Sequence, residues 1–444
     1  MTSADDGQVS AERQRALVRA FESLNSTADR DLWSYFDRIR ALGEVVRDDE
    51  LDAWLVTSYA ACKEMARGDD IVWRPVFVPN DDRPMSGLDS DTLVEFMGGG
   101  GRRVIFLVEG EQHQRLHRWW MRVFSPNMLA SWRAELIRPI IHAQIDRFAG
   151  QGRAELVSDL ASRVPARVIA GLMGLPNDEA WLEHLLTLVL CRLELIQRQT
   201  DTVADPELVA RGLAANHELS EILLPIVRAR SSGAGDDMIS RLWRDAPELF
   251  EDDFDELDIL GNAKTMFDGG SRTTVYAASN ALYLLLTRPG LQEELRSGGA
   301  TAVERFVEES LRLFGPVVFR PRVALKDVEV GGVLVKKGET AIAIGLLANR
   351  DPARYERPDD VDLHRTAPRD HLSFYFGARA CTGQALARAE LEEIVSVVLE
   401  RLEDLRLDPD AEPPSYREFL MRSWRPLHVL FTAPRSARRS LSST

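Results

Sequence analysis

The chain has 444 residues, 45% of them apolar, and 55 Lys and Arg against 70 Asp and Glu, for a formal net charge of −15. That length is enough for one large domain or roughly two to three average ones and for a sizeable core, and the composition is that of a soluble globular protein. The charge argues against wrapping nucleic acid or lying on an anionic membrane. Three scattered cysteines, Cys62, Cys191 and Cys381, argue against a disulfide framework or a zinc cluster and fit a reducing compartment.

Residues 1–25 read as a polar arm with no apolar stretch of signal-peptide or anchor type, so a cytoplasmic protein without a membrane contact is expected. A single domain is expected over residues 26–434, followed by an Arg/Ser-rich tail, 435–444, without structure. Lys occurs only at 63, 264, 326, 336 and 337 while Arg is abundant, a bias that suggests a GC-rich bacterial genome. Ala53 to Thr57 has the composition of a strand. Residues 71–110, with Pro75, Pro79, Pro84 and the run Gly98 to Gly101, read as a long irregular loop that could cover a substrate.

His113 and His117 are four residues apart on the next helix and share one face. A metal pair would need a third ligand that the sequence does not offer, and a solvated basic face is the alternative. Residues 128–250 read as amphipathic helices with breaks at Pro176 and at Ser231 to Gly235. Residues 252–287 carry apolar or small residues at helical spacing, with acids at the start and Pro289-Gly290 at the end. At 1.5 Å per residue this helix is roughly 50 Å long. Its middle is Asp268-Gly-Gly-Ser-Arg-Thr-Thr274. Two glycines inside a helix cost about 1 kcal/mol each relative to Ala, so they mark a close approach, a bulge or a tight helix crossing. Asp268 lies four residues before Arg272, which predicts an ion pair on the helix surface.

Residues 302–316 are expected to be helical, with Glu309 and Arg312 able to face one partner. Strands are expected at Val317 to Phe319, at Val328 to Val335 around Gly331-Gly332, and at Thr340 to Gly345. Phe419 to Met421 and Leu427 to Phe431 read as a hairpin whose tip could touch a substrate. Between these lies His371-Leu-Ser-Phe-Tyr-Phe-Gly-Ala-Arg-Ala-Cys-Thr-Gly383. A helix begins near Thr382, so Cys381 sits at a helix N-terminus, where the dipole favours a thiolate. Gly377 and Gly383 leave room for a flat, bulky group, and Arg379 could meet an anion. A thiolate with such surroundings suits a haem iron; a buried free cysteine after a glycine turn is the plain alternative.

The set Phe374, Gly377, Arg379, Cys381 and Gly383 resembles the cysteine signature of the cytochrome P450 family, with Tyr375 where bacterial members have Gly, a change expected to reshape the loop slightly. The resemblance spans roughly residues 25–432, and its motifs come in order. It implies a mainly α fold with a smaller β-rich part and a long central helix over a haem. It further implies haem b with Cys381 as the iron's thiolate ligand, propionates held by His113, His117 (an Arg in relatives) and Arg322, Arg379 among the residues that bind the cofactor, and a buried Glu309–Arg312–Arg365 network. The glycine-threonine stretch resembles the oxygen-binding groove, with Gly269, Gly270 and Thr273 matching. The acid expected before Thr273 is replaced by Arg272, and Arg cannot relay protons at neutral pH. The implied reaction inserts one oxygen atom from O2 into a hydrophobic small molecule, with electrons from ferredoxin and ferredoxin reductase. An acidic ferredoxin would dock near Arg379, Arg388 and Arg118. Two alternatives stand beside it: a peroxide-dependent or oxidative-coupling enzyme in which Arg272 binds a substrate carboxylate, and a haem-binding sensor or carrier.

Overall fold

The computed structural model describes residues 24, 31–76, 78–79, 88–197, 205–251 and 254–433; the expected arm (apart from residue 24) and tail, and Asp252 and Asp253, lie outside them. Helix α1 spans Leu32–Leu42, and strands β1 (Val45–Asp48) and β2 (Ala53–Val56) follow. Next come α2 (Tyr59–Arg67), β3 (Trp73–Pro75), α3 (Ser90–Gly98) and α4 (Gly110–Val123). Within the segment 71–110 the described residues include β3 and α3 where an irregular loop is expected, while Pro84 lies outside the described residues. The segment's glycine run is a packing device: a Cβ on Gly101 would fall 2.2 Å from the Leu257 carbonyl oxygen. Asp258 then accepts hydrogen bonds from the Arg102 and Arg103 N–H groups at 2.9 and 2.8 Å.

The helical layer continues through α5 (Pro126–Trp132), α6 (Arg138–Asp146), α7 (Val164–Met173), α8 (Glu179–Ile196), α9 (Pro206–Ala229) and α10 (Met238–Phe250), with β4 (Arg153–Glu155) between α6 and α7. The long helix α11 runs from Glu256 to Thr287. Asp255 caps it, accepting from the Leu257 and Asp258 N–H groups, so the start lies four residues beyond the first acid of the sequence pattern. Twenty-two of its residues are buried, because α7, α9, α3 and α12 (Leu291–Phe314) surround it.

A five-stranded sheet in the order β1-β2-β8-β5-β3 stands beside the helices, with β5 at Arg320–Ala324 and β8 at Thr340–Ala343. Val317 makes only an isolated bridge, to Met421, so the strand expected at 317–319 starts instead at Arg320. Strands β6 (Val328–Val330) and β7 (Val333–Val335) occupy the expected strand region and pair antiparallel across Gly331-Gly332. Helix α13 (Gly345–Ala348) leads into the turn of Asn349 and Arg350, and α14 (Gln384–Arg401) follows the cysteine. The C-terminal hairpin pairs β10 (Ser415–Arg417) with β11 (Ser423–Arg425), and Phe419 to Met421 form its tip region. Residues 428–432 (β12) do not pair with that tip; they join β9 (Glu403–Leu407) and β4.

Candidate active site

The loop before α14 is closed by the Cys381 N–H donating to the Phe374 carbonyl at 2.8 Å. Tyr375 holds φ 62°, a backbone conformation that glycine adopts freely and a tyrosine adopts at a cost. The tyrosine bears the strain, and its buried ring lies under the guanidinium groups of Arg320 and Arg322, 5.1 and 5.0 Å from the centroid. Gly377 has φ 77°, and a Cβ there would come 2.6 Å from the Ala66 carbonyl oxygen. Its bareness thus lets the loop lie on α2. A Cβ on Gly383 would stand 4.0 Å from the Cys381 sulfur, an ordinary contact.

Cys381 is exposed, although protein surrounds it densely on its other sides. Burial pushes its free thiol up, against the Gly383 and Gln384 N–H groups that favour the thiolate. The helix terminus alone therefore does not produce a thiolate. On α11, Gly269 has nothing within 4 Å of a Cβ position, whereas one on Gly270 would meet Ile169 Cδ1 of α7 at 2.4 Å. Gly270 is the tight helix crossing and Gly269 is the residue that leaves open space. The Thr273 hydroxyl donates to the Gly269 carbonyl at 2.7 Å, so its oxygen remains available as an acceptor.

Asp268 does not pair with Arg272. It is bound by Arg192 of α8, which also donates to the Phe96 carbonyl at 2.9 Å. Arg272 is buried and donates to the Tyr276 hydroxyl at 3.1 Å, with its Nε left without a partner. One turn upstream of Asp268, the fully buried Lys264 donates to Asn216 Oδ1 at 2.6 Å and Ser220 Oγ at 2.9 Å. Burial first, and then Arg192, lower its pKa to about 7.

The three expected propionate partners and Arg379 are engaged by the protein. Arg322 forms a bidentate pair with Asp69 at 2.8 and 3.0 Å. Arg379 meets Asp70 and the Val108 carbonyl. His113 Nδ1 stands 3.1 Å from Asp70 Oδ2, out of line for a hydrogen bond. Burial and then, among the charges, Arg379 push His113 below its ordinary pKa, with Asp70 opposing. His117 donates from Nε2 to the Ala380 carbonyl at 2.8 Å and so holds the cysteine loop. Phe374 is half-buried beneath Arg388, 4.5 Å from its centroid. Arg388 in turn is bound to Glu308, as is His371. These residues fit a haem: an accessible sulfur in a protein-dense setting, an open face on Gly269, and a buried cluster of cations for anionic substituents. Nothing in the sequence pattern pointed to Asp69 and Asp70, because their partners lie 253 and 309 residues away.

Behind the loop, Glu309 binds Arg312 at 2.8 and 2.9 Å and Arg365 at 2.9 Å, all buried. Asn349 accepts from the Leu372 N–H at 2.7 Å and donates to Ser373 Oγ at 2.9 Å. A cavity of about 580 Å³ borders the loop, lined in part by Arg369, His371, Phe376 and Gln384. No described helix is long and apolar enough to cross a membrane.

The sequence model of the family described as cytochrome P450 matches residues 228–431. The chain is 31% identical over 373 residues to cytochrome P450-SOY of Streptomyces griseus, with 83% of each chain covered. It is 28% identical over 375 residues to pentalenic acid synthase of Streptomyces avermitilis, covering 84% of this chain and 87% of that one. Among solved structures, P450BioI in complex with hexadec-9Z-enoic acid ligated acyl carrier protein matches with a TM-score of 0.78 and 26% identity, over 92% of this chain and 100% of that one. With its mainly α fold and smaller β part, the chain belongs to the cytochrome P450 family, whose members are haem-iron oxidoreductases.

Proposed function

We propose that this chain is a haem b monooxygenase that inserts one oxygen atom from O2 into a hydrophobic small molecule, as in natural-product biosynthesis, with Cys381 as the iron ligand. The observation that carries this reading is the exposed Cys381 at the start of α14, with the loop behind it closed by the Cys381 N–H on the Phe374 carbonyl. Haem, when bound through a cysteine thiolate, supplies the electron-rich iron that favours O–O cleavage. Because burial raises the free thiol, coordination to a cation is what would complete its deprotonation. Gly383 and Gln384 donate toward the sulfur and would moderate its charge. Gly269 leaves room on the long helix, and the Thr273 hydroxyl, bonded to the Gly269 carbonyl, keeps its oxygen as an acceptor. The test is the CO spectrum of the reduced protein. A thiolate-type spectrum that is lost in Cys381→Ser is expected, and a spectrum unchanged by that substitution would refute the assignment.

Electrons are proposed to come from an acidic ferredoxin served by its reductase. Arg379 and Arg388 are buried in ion pairs and are not a docking surface. Arg118 is exposed, and Arg67 is exposed beside the half-uncovered Phe376 ring, 5.8 Å from its centroid. Reversing Arg67 and Arg118 to Glu should slow the first electron transfer most at low salt; equal rates at low salt would remove this surface from consideration.

A second reading has an observation of its own. With Asp268 taken by Arg192, Arg272 keeps an unpartnered Nε and no carboxylate among its described contacts. A substrate carboxylate would fill that place, as in the peroxide-dependent alternative. Arg272→Ala should then weaken acid ligands about 10- to 100-fold and leave the matching esters unchanged, read as a spectral shift on binding. Equal affinities for acid and ester in both proteins would discard it. Comparing turnover with peroxide against turnover with the ferredoxin chain separates the two chemistries.

A further inference from the structure

Asp69 and Asp70 form the turn between α2 and β3, and the backbone fixes them there. The Asp70 N–H donates to the Trp73 carbonyl at 3.0 Å, and Asp70 holds φ 63°. A non-glycine residue in that conformation costs energy, though Asp and Asn tolerate it best. The strain aims two adjacent carboxylates at three separate elements. Asp69, with no exposed side-chain surface, clamps Arg322 of β5. Asp70 Oδ1 accepts from Arg379 Nε of the cysteine loop at 2.8 Å, and Oδ2 faces His113 of α4.

Arg322 and His113 are two of the groups that the family resemblance gives to the haem propionates, and Arg379 is among those it gives to the cofactor. In this chain two negative charges already stand among them. Arg320, the neighbouring guanidinium, has a carbonyl partner, Ser373, at 2.8 Å. With two propionates added, four acids would share three guanidinium groups and a histidine whose pKa is depressed. Buried charges at hydrogen-bonding distance are weakly screened, so this excess of negative charge would be felt at the iron. It favours the ferric over the ferrous state.

We propose that Asp69 and Asp70 are positioning residues for the haem edge: they fix Arg322, Arg379 and His113 in place and, by offsetting their charge, hold down the reduction potential of the bound haem. This rests on the haem-thiolate reading above, which the CO spectrum of the wild-type protein tests separately. The variants are Asp69→Asn and Asp70→Asn, nearly isosteric, with Asn also suited to the Asp70 backbone. The charge-keeping controls are Asp69→Glu and Asp70→Glu.

The measurement is a redox titration of each haem-loaded protein in the absence of substrate. At the wild-type midpoint, each Asn variant is expected to raise the ferrous-to-ferric ratio roughly tenfold, the scale of one unit charge acting across a buried site. The Glu variants are expected to stay near the wild-type ratio. Unchanged or lower ratios in both Asn variants would overturn the proposal, as would shifts in the Glu variants as large as those in the Asn variants. Should the Asn variants fail to retain haem, the rate of haem transfer to apomyoglobin decides: retention restored by Glu supports the pair, and equally fast loss from the Glu variants overturns it.

Discussion

The surroundings of the cysteine loop and the middle of the long helix handle buried charge in opposite ways. Near the loop the charges close into clusters: Glu309 with Arg312 and Arg365, Glu308 with Arg388 and His371, Asp69 with Arg322. In the middle of α11 two buried cations have neutral partners instead. Lys264 is held by Asn216 and Ser220, and Arg272 by Tyr276. Closed clusters fix a scaffold, because every displacement separates opposite charges in a poorly screened setting. Cations held by neutral groups are open to change, by proton loss in the case of lysine and by an arriving anion in the case of arginine.

The largest effect should come from opening a closed cluster. Glu309→Gln leaves Arg312 and Arg365 as uncompensated buried charges, and removing one partner of such a group costs about 3–5 kcal/mol. Chemical denaturation of the haem-loaded protein should show a lower midpoint with an unchanged slope. A loss below about 1 kcal/mol would mean that water or backbone carbonyls, such as those of Asn349 and Pro358 that already bind Arg312, carry most of the compensation.

Lys264 should produce a smaller, pH-dependent effect. Its pKa is lowered to about 7 by burial and by Arg192, with Asp268 and Glu95 opposing. Between about pH 7 and its ordinary pKa of about 10.4, the unfolded chain binds a proton that the folded chain does not, so stability rises with pH there. Below pH 7 both states are protonated and the cost is constant, on the order of 5 kcal/mol for a shift of this size. Lys264→Met should flatten the rise above pH 7, while stranding Asn216 Oδ1 subtracts a constant of about 1–3 kcal/mol. Parallel stability profiles from pH 7 to 10 in the two proteins would mean that the lysine stays charged when folded.

The loop and the helix also differ in how far they could be read from sequence. The loop's chemistry is local: Phe374, Gly377, Arg379, Cys381 and Gly383 lie within ten residues, and one turn places them. Even there, the backbone strain at Tyr375 and the contact of Gly377 with Ala66 depend on α2, far away in the chain. The existence and length of α11 follow from its periodicity and capping acids. Its internal pairings do not, because spacing within one helix cannot weigh a partner on another. Arg192, 76 residues from Asp268, displaces the i, i+4 pairing with Arg272. The fully buried Lys264 and the acid pair Asp69-Asp70 read in sequence as ordinary surface residues, and only packing gives them a role.

The two adjacent glycines of α11 provide the finest distinction, since a 100° rotation per residue makes one face α7 and the other open space. Alanine at position 269 meets nothing within 4 Å and should stabilise the protein by up to about 1 kcal/mol through helix propensity. Alanine at 270 gains the same propensity but drives its methyl into Ile169 Cδ1 at 2.4 Å and Cγ1 at 2.8 Å. Overpacking of that kind costs about 1–3 kcal/mol, so Gly270→Ala should be neutral to destabilising by up to about 2 kcal/mol. Ile169→Val deletes the closer carbon, and the double variant should recover most of the loss beyond the sum of the single changes. The opposite pattern, with Gly269→Ala the costlier of the two and no coupling between Gly270 and Ile169, would rotate the helix by one residue. It would then be Gly270, and not Gly269, that leaves space beside Thr273.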